Sequence, residues 1–195
     1  DVTAMVLYMQ NDYRYNSDLA KRYQGIVGRV TYGYDNKYLF EFNAGYNGSE
    51  NFHKSRRFGF FPAVSLGWRI TQESFMESTR GWLDNLKVRG SYGEVGNDQM
   101  GDQRFLYEQK WSQISNDYLF GTGSWQTGIY EQQYPNYAVT WERAHKYNVG
   151  LEFGLFNSSL TGNFDIFYEK RDNILTNYLT RPWWFGVTSA AGNLG

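Results

Sequence analysis

Residues 37–47 read Lys-Tyr-Leu-Phe-Glu-Phe-Asn-Ala-Gly-Tyr-Asn, and this stretch decides the fold class. In an extended chain, successive side chains point to opposite faces, so every second residue shares a surface. The apolar surface carries Tyr38, Phe40, Phe42, Ala44 and Tyr46, and the polar surface carries Lys37, Glu41 and Asn43. The alternation predicts a β-strand with one apolar face and one wet face.

The same alternation recurs along the chain and predicts about seven strands. The further runs lie near 2–10, 23–34, 60–70, 86–92, 147–153 and 160–168. Asp35-Asn36 is a tight-turn pair, so the runs on either side of it form a predicted hairpin, and a second hairpin turns near Asn157-Ser158. Most runs are longer than the roughly 5–6 residues of soluble strands and match the roughly 9–11 residues of tilted membrane strands.

The predicted connections alternate between short and long. The links at 35–36 and 155–159 are short, and the link at 71–82 is intermediate, with room for one helical turn. The long links are 48–58, 95–137 and 173–195. In chain order, the short and intermediate links fall at one edge of the sheet and the long ones at the other. Membrane β-barrels show this asymmetry, with short periplasmic turns and long extracellular loops.

The composition supports a sheet with two unlike surfaces. Tyr (17), Phe (14) and Trp (7) supply 19% of the residues, yet the mean hydropathy is −0.64. No window of 18 apolar residues is present, which excludes a transmembrane helix. The net charge of −1 gives no reason to expect nucleic acid as a partner, and the absence of cysteine excludes disulfides and thiolate catalysis.

Six local strings, in order across about 25–195, resemble the barrel of SusC-type TonB-dependent outer-membrane transporters. They are 28–41 (GRVTYGYDNKYLFE), 48–52 (GSENF), 57–70 (RFGFFPAVSLGWRI), 86–97 (LKVRGSYGEVGN), 140–142 with 148–154 (TWE, NVGLEFG), and 167–175 with 192–195 (FYEKRDNIL, GNLG). Two departures stand out. Asn47 occupies the place of an aspartate that the family usually has before Gly-Ser, and 192–195 replaces Asn-Ile-Gly.

The resemblance implies an all-β, antiparallel, up-and-down transmembrane barrel of about 22 strands. We expect residues 1–195 to be a partial barrel domain, cut at both ends, without the plug domain and the remaining strands. It also implies a transporter in the cell outer membrane that imports glycans or peptides. In that family TonB powers import and a SusD-like surface lipoprotein caps the barrel. No enzyme activity and no cofactor are expected.

Charged residues on the predicted strands would be costly in hydrocarbon, but inside a barrel they can pair or be hydrated. We therefore expect one set of side chains to face the barrel lumen. The set is Arg29, Glu41, Lys87, Arg89, Lys146, Glu152 and Asp165.

Aromatic residues in the predicted long loops are the candidates for ligand contact. They are Trp111, Trp125, Tyr130, Tyr178, Trp183 and Trp184. Rings at a barrel mouth could stack on sugars or grip a peptide, because ligand sites favour aromatic linings with a few polar anchors. The alternatives are packing of the loops on themselves and anchoring at the outer leaflet.

Two other classes of protein compete with the transporter. A soluble carbohydrate-binding β-sandwich would bury its alternate rings between two sheets, whereas a barrel wall leaves them on one exposed face. A glycan-degrading enzyme would need paired carboxylates, for which Glu142 and Asp165 are candidates. His53 and His145 are far apart in sequence and lack cysteine partners, so no metal site is expected.

Overall fold

The computed structural model describes residues 1–14, 19–79, 81–101, 103–121, 123–176, 182, 184, 186–189 and 191–195, and the backbone alone at 116–118, 120 and 188–189. It divides the chain into two compact units. Unit 1 comprises Asp1–Gly48, Phe58–Asn97 and Arg143–Asp172, and unit 2 comprises Ser49–Arg57, Asp98–Glu142 and Asn173–Gly195. Among the described residues, no helix has the length and apolar character needed to cross a membrane.

A seven-stranded sheet is the framework of unit 1. Its strands are β1 (Val2–Tyr13), β2 (Lys21–Tyr34), β3 (Tyr38–Ser49), β4 (Phe58–Arg69), β5 (Leu83–Asn97), β8 (Glu142–Leu155) and β9 (Leu160–Asp172). They lie side by side in the order β1-β2-β3-β4-β5-β8-β9, with antiparallel pairing of β1–β2, β3–β4, β4–β5 and β8–β9. The predicted count and the all-β, antiparallel class of the sheet are confirmed.

The strand registers give this sheet two chemically distinct faces. On one face, Phe40 lies opposite Leu66, Val149 opposite Ile166, and Leu151 opposite Phe164. These residues are exposed, with 60% of the Phe164 surface accessible, so no second sheet in the described part of the chain covers them. A β-sandwich is therefore not favoured. On the opposite face, Glu41 pairs with Ser65 and Glu152 with Asn163.

Aromatic pairs mark both ends of the apolar face. Tyr38 lies opposite Trp68 near the short connections, and Tyr46 lies opposite Phe60 near the long ones. The two pairs are eight residues apart along β3, about 26 Å at the usual strand rise. Strands of membrane barrels tilt by about 35–45°, so this spacing spans about 20 Å of membrane thickness, within the apolar band of about 25 Å that aromatic girdles flank.

The short connections are held together at one edge of unit 1. The predicted β2–β3 turn is present, and Asp35 and Asn36 both adopt positive φ, as tight hairpin turns require. The predicted helical turn between β4 and β5 consists of two 3₁₀ segments, Ile70–Gln72 and Ser74–Thr79. The β8–β9 turn bonds to the same connection, because the Phe156 amide donates to the Trp82 carbonyl oxygen at 2.9 Å.

Unit 2 corrects the prediction of a long loop at 95–137. Two strands, β6 (Lys110–Phe120) and β7 (Ser124–Tyr134), form an antiparallel hairpin there, which β11 (Thr188–Ser189) joins as a third, parallel strand. The short strands β10 (Leu175–Thr176) and β12 (Gly192–Asn193) pair with each other. The alternation in β6 is obscured by polar residues and two register shifts, so its sequence resembles a loop.

Most of the buried apolar side chains that the structure describes belong to unit 2. In the described part of that unit they are Phe52, Met100, Leu106, Val139, Trp141 and Ala191. A sheet that keeps its apolar face exposed has little interior of its own, so the interior packing occurs where the connections fold on themselves.

Candidate functional site

The polar face of the sheet in unit 1 carries ion pairs that cross between strands. On β2, Arg29 extends Nη2 to within 2.7 Å of Glu41 Oε2 on β3. The other oxygen of Glu41 accepts a hydrogen bond from Asn43 Nδ2 at 2.8 Å. Both carboxylate oxygens of Glu41 are thereby engaged, which fixes its orientation on this face.

A larger network joins β5, β8 and β9. Glu152 Oε1 lies 3.5 Å from Lys87 Nζ and 3.3 Å from Arg89 Nε. Arg89 Nη2 also donates to both carboxylate oxygens of Asp165 at 2.9 Å. The fold thus brings four of the seven predicted lumen-facing residues into one cluster, although they are distant in sequence.

Gly150 is the residue that lets this network form. It lies on β8 directly opposite Asp165, in the space between Arg89 and its carboxylate partner. A Cβ at this position would lie 2.6 Å from both Arg89 Nε and Asp165 Oδ1. Only a residue without a side chain leaves room for the guanidinium to reach across β8.

The remaining predicted charge, Lys146, takes part in a third cluster. Its Nζ lies 3.5 Å from Glu169 Oε2, and Glu169 Oε1 accepts a bond from Arg171 Nε at 2.6 Å. The predicted set of lumen-facing residues did not include Glu169 and Arg171. The period-two pattern of β9 could have found them, because both share the parity of Asp165.

A groove of about 510 Å³ lies on this polar face. Its lining includes Glu41, Lys87, Arg89, Ser91 and Asn148. These side chains offer carboxylate, ammonium, guanidinium, hydroxyl and amide groups within one concave surface, which suits polar ligands rich in hydroxyls or amides. In the described residues, no three His, Asp or Glu side chains are grouped as ligands for a metal ion.

The candidate aromatic residues that the structure describes are exposed, and the three on the β6–β7 hairpin are not gathered at one point. Trp111 lies opposite Glu131, whereas Trp125 lies opposite Leu119, about 20 Å away along β7. Tyr130 lies on the other face of the hairpin, opposite Ser112. Trp184 is 73% exposed. Tyr178 and Trp183 fall outside the described residues.

A separate set of contacts holds the connections of unit 2 together. Trp141 is 3% exposed, its ring centroid is 5.1 Å from that of Phe52, and its Nε1 donates to the Arg57 carbonyl oxygen at 3.2 Å. Asn193 bonds both backbone groups of Thr140, accepting from the amide at 2.9 Å and donating to the carbonyl at 3.0 Å. These residues belong to strings that carry the family resemblance, so those strings are structural.

The two histidines lie in different surroundings. His53 makes edge contacts with the rings of Tyr107 and Tyr137, at centroid distances of 5.9 and 5.3 Å. Burial, the largest cause, raises the pKa of the Tyr107 hydroxyl, which donates to the Glu50 carbonyl oxygen at 3.2 Å. His145 lies on β8, with Nδ1 3.0 Å from the Tyr92 hydroxyl. Both histidines occupy structural positions.

The sequence model of the family described as "TonB dependent receptor-like, beta-barrel" matches residues 3–195. The chain belongs to this family. It is a SusC-type barrel chain of the cell outer membrane, and its sheet is an open part of an antiparallel transmembrane barrel. This identity explains the exposed apolar face, because lipid rather than water solvates the outside of such a barrel.

Characterised relatives support the assignment of this TonB-dependent receptor chain. The TonB-dependent receptor SusC of Bacteroides thetaiotaomicron is 34% identical over 153 residues, which cover 77% of this chain and 15% of the relative. TonB-dependent receptor P3 of Formosa agariphila is 29% identical over 170 residues, covering 87% and 16%. The chain thus spans about a sixth of the length of these relatives.

A solved structure described as that of the RagAB peptide transporter contains a similar fold. It superposes with a TM-score of 0.73 and 25% identity, over 91% of this chain and 18% of that one. The relatives are receptors and transporters by name rather than enzymes.

Proposed function

We propose that this chain forms part of the wall of an outer-membrane transporter that imports glycans or peptides. The observation that carries the proposal is the contrast between the two faces of the sheet in unit 1. One face is apolar, aromatic and exposed, and the other carries the ion pairs of Arg29, Arg89 and Lys146. Charges on strands that cross a bilayer must avoid hydrocarbon, so the charged face lines the lumen.

A closed barrel would need more strands than this sheet has. In the described residues, β1 and β9 are the outermost strands of the sheet, and seven strands are too few to enclose a channel. We propose that residues 1–195 are a partial barrel domain, with further strands and a plug elsewhere in the protein. TonB would power import, and a SusD-like lipoprotein would act as partner, as the likeness to SusC and RagAB suggests.

Exposed aromatic residues of unit 2 would also contact the substrate. Trp111, Trp125, Tyr130 and Trp184 are exposed in unit 2, with Tyr178 and Trp183 as further candidates from the sequence. Flat rings stack on sugars and on peptide groups alike, so the rings do not by themselves choose between the two cargoes. The proposed role is binding and passage, without a bond-breaking step.

Uptake of labelled oligosaccharides and of labelled peptides by cells that carry the full-length protein tests this function. Deleting the gene should abolish uptake of one class, and the wild-type gene should restore it. Trp111→Ala and Trp125→Ala should raise the KM for uptake without lowering the amount of protein in the outer membrane. The matched control is Phe75→Ala, an exposed ring in the β4–β5 connection. Unchanged uptake after gene deletion would contradict the proposal.

A further inference from the structure

The apolar face of unit 1 contains a groove where a flat lipid-facing wall would be expected. The groove has a volume of about 500 Å³ and is lined mainly by apolar atoms from β2–β5 and β8. The depression lies over Gly90, which has no side chain to fill the space. A Cβ built there would meet no atom within 4 Å. Phe40, Leu66 and Val149 form the surrounding walls.

One end of the groove is polar. Tyr38 and Trp68 line the groove, and both donate hydrogen bonds to Glu73 Oε1, at 2.7 and 3.1 Å. Lys37 Nζ lies 3.9 Å from Glu73 Oε2 and 3.5 Å from Asp35 Oδ2. A cation and two carboxylates therefore stand beside an apolar trough at the edge of the short connections.

These features together describe the binding site of an amphipathic molecule. The trough is roughly three times the volume of a dry protein cavity that accommodates a six-carbon ring, so it can hold a long hydrocarbon chain. The Lys37 ammonium suits a phosphate, and the carboxylates of Asp35 and Glu73 suit an ammonium group. A zwitterionic phospholipid carries this pair of charges on one headgroup.

We propose that the groove binds one phospholipid, with an acyl chain over Gly90 and the headgroup beside Lys37 and Glu73. The inference rests on the proposed function, because it requires the apolar face to contact lipid. The site is continuous with the membrane-facing surface, so a lipid enters it sideways from its own leaflet. Short connections lie on the periplasmic side of such barrels, which assigns the lipid to the inner leaflet.

Photo-crosslinking of the full-length transporter tests the site. The probe is phosphatidylethanolamine with a diazirine in its acyl chain, added to outer-membrane vesicles, and mass spectrometry of the digested protein locates the label. Gly90→Leu fills the trough and should lower labelling of residues 58–69 and 83–97 several-fold, because the acyl chain loses its packing contacts with the groove. Gly28→Leu is the matched control, since Gly28 also faces open space on the apolar side but lies outside the groove lining.

Further variants keep the test decisive. Leu66→Trp fills the trough from its wall and should lower labelling as Gly90→Leu does. It replaces Gly90→Leu in the test if that variant does not reach the outer membrane. Lys37→Gln should lower labelling by the phospholipid but not by a diazirine-bearing diacylglycerol, which has no charged headgroup. Equal labelling of wild type and both groove-filling variants would overturn the inference, as would a label found only outside residues 58–69 and 83–97. If the wild-type protein resides in the outer membrane and imports its cargo, but the groove-filling variants are labelled as strongly as wild type, the lipid site is refuted and the proposed function is not.

Discussion

Arg89 on β5 places Nη2 2.9 Å from both carboxylate oxygens of Asp165 on β9, although β8 lies between the two strands. Strands that are two positions apart in a sheet are about 9.6 Å apart, a distance that the long arginine side chain can cross. The crossing point is Gly150, where the absence of a side chain leaves the path open. A single glycine thus joins three strands of the polar face.

Gly150→Ala should break this connection. Its Cβ would displace the Arg89 guanidinium, so we expect a loss of about 0.2–1 kcal/mol, the usual strength of a half-exposed ion pair. The free energy of unfolding of the full-length protein, measured in detergent with denaturant, checks this. Gly90→Ala is the control, because its Cβ meets nothing. In an Arg89→Ala background the Gly150→Ala cost should shrink, and an unchanged cost there would contradict the explanation.

The assignment of the two faces predicts opposite responses to one added charge. Phe164→Lys places an ammonium on the apolar face of β9, midway between Leu160 and Tyr168. It should cost about 2–4 kcal/mol, as cations do at the bilayer midplane. Asn163→Lys adds the same charge one residue away, opposite Glu152, and should cost little. Equilibrium folding into lipid vesicles measures both, and equal costs would show that the faces are assigned wrongly.

Glu73 predicts a pH dependence at the edge of the short connections. Hydrogen bonds from Tyr38, the largest cause, and from Trp68 hold the pKa of the Glu73 carboxyl below its ordinary value of 4.5. The folded state therefore favours the carboxylate, so its stabilising contribution is complete above pH 4.5 and is lost as the pH falls through the folded-state pKa. The difference in unfolding free energy between wild type and Glu73→Gln should be constant at neutral pH and narrow below pH 4.5. A difference that stays the same down to pH 3 would refute this role.

Trp141 should stabilise the connections of unit 2. Removing a buried tryptophan side chain costs about 3–5 kcal/mol, and Trp141→Ala also removes one of the hydrogen bonds to the Arg57 carbonyl oxygen, which keeps the bond from the Ser49 amide. We expect faster cleavage of unit 2 by a protease added to intact cells. Trp125→Ala removes an exposed ring and should leave the cleavage rate unchanged. Equal cleavage rates for the two variants would argue against the role of Trp141.

The strands and their faces could be predicted from local sequence. A single residue is compatible with many structures, but an apolar/polar alternation that persists over about ten residues indicates a strand with one apolar and one wet face. Residues 37–47 and the Asp35-Asn36 turn gave the β2–β3 hairpin correctly. The prediction failed at β6 and β7, where polar residues and register shifts hide the alternation. The predicted set of lumen-facing residues also omitted Glu169 and Arg171, which pair on the polar face.

The sequence by itself determined which side chains share a face, because the geometry of an extended chain sets that locally. Only the tertiary structure decided which charges meet. Arg89 reaches Asp165 because β5 and β8 are neighbours in the sheet, although residues 98–141 separate them in the chain and belong to the other unit. No local sequence pattern specifies which strand lies beside β5. The buried positions of Phe52 and Trp141 were decided in the same way, since a connection acquires an interior only when distant segments fold against it.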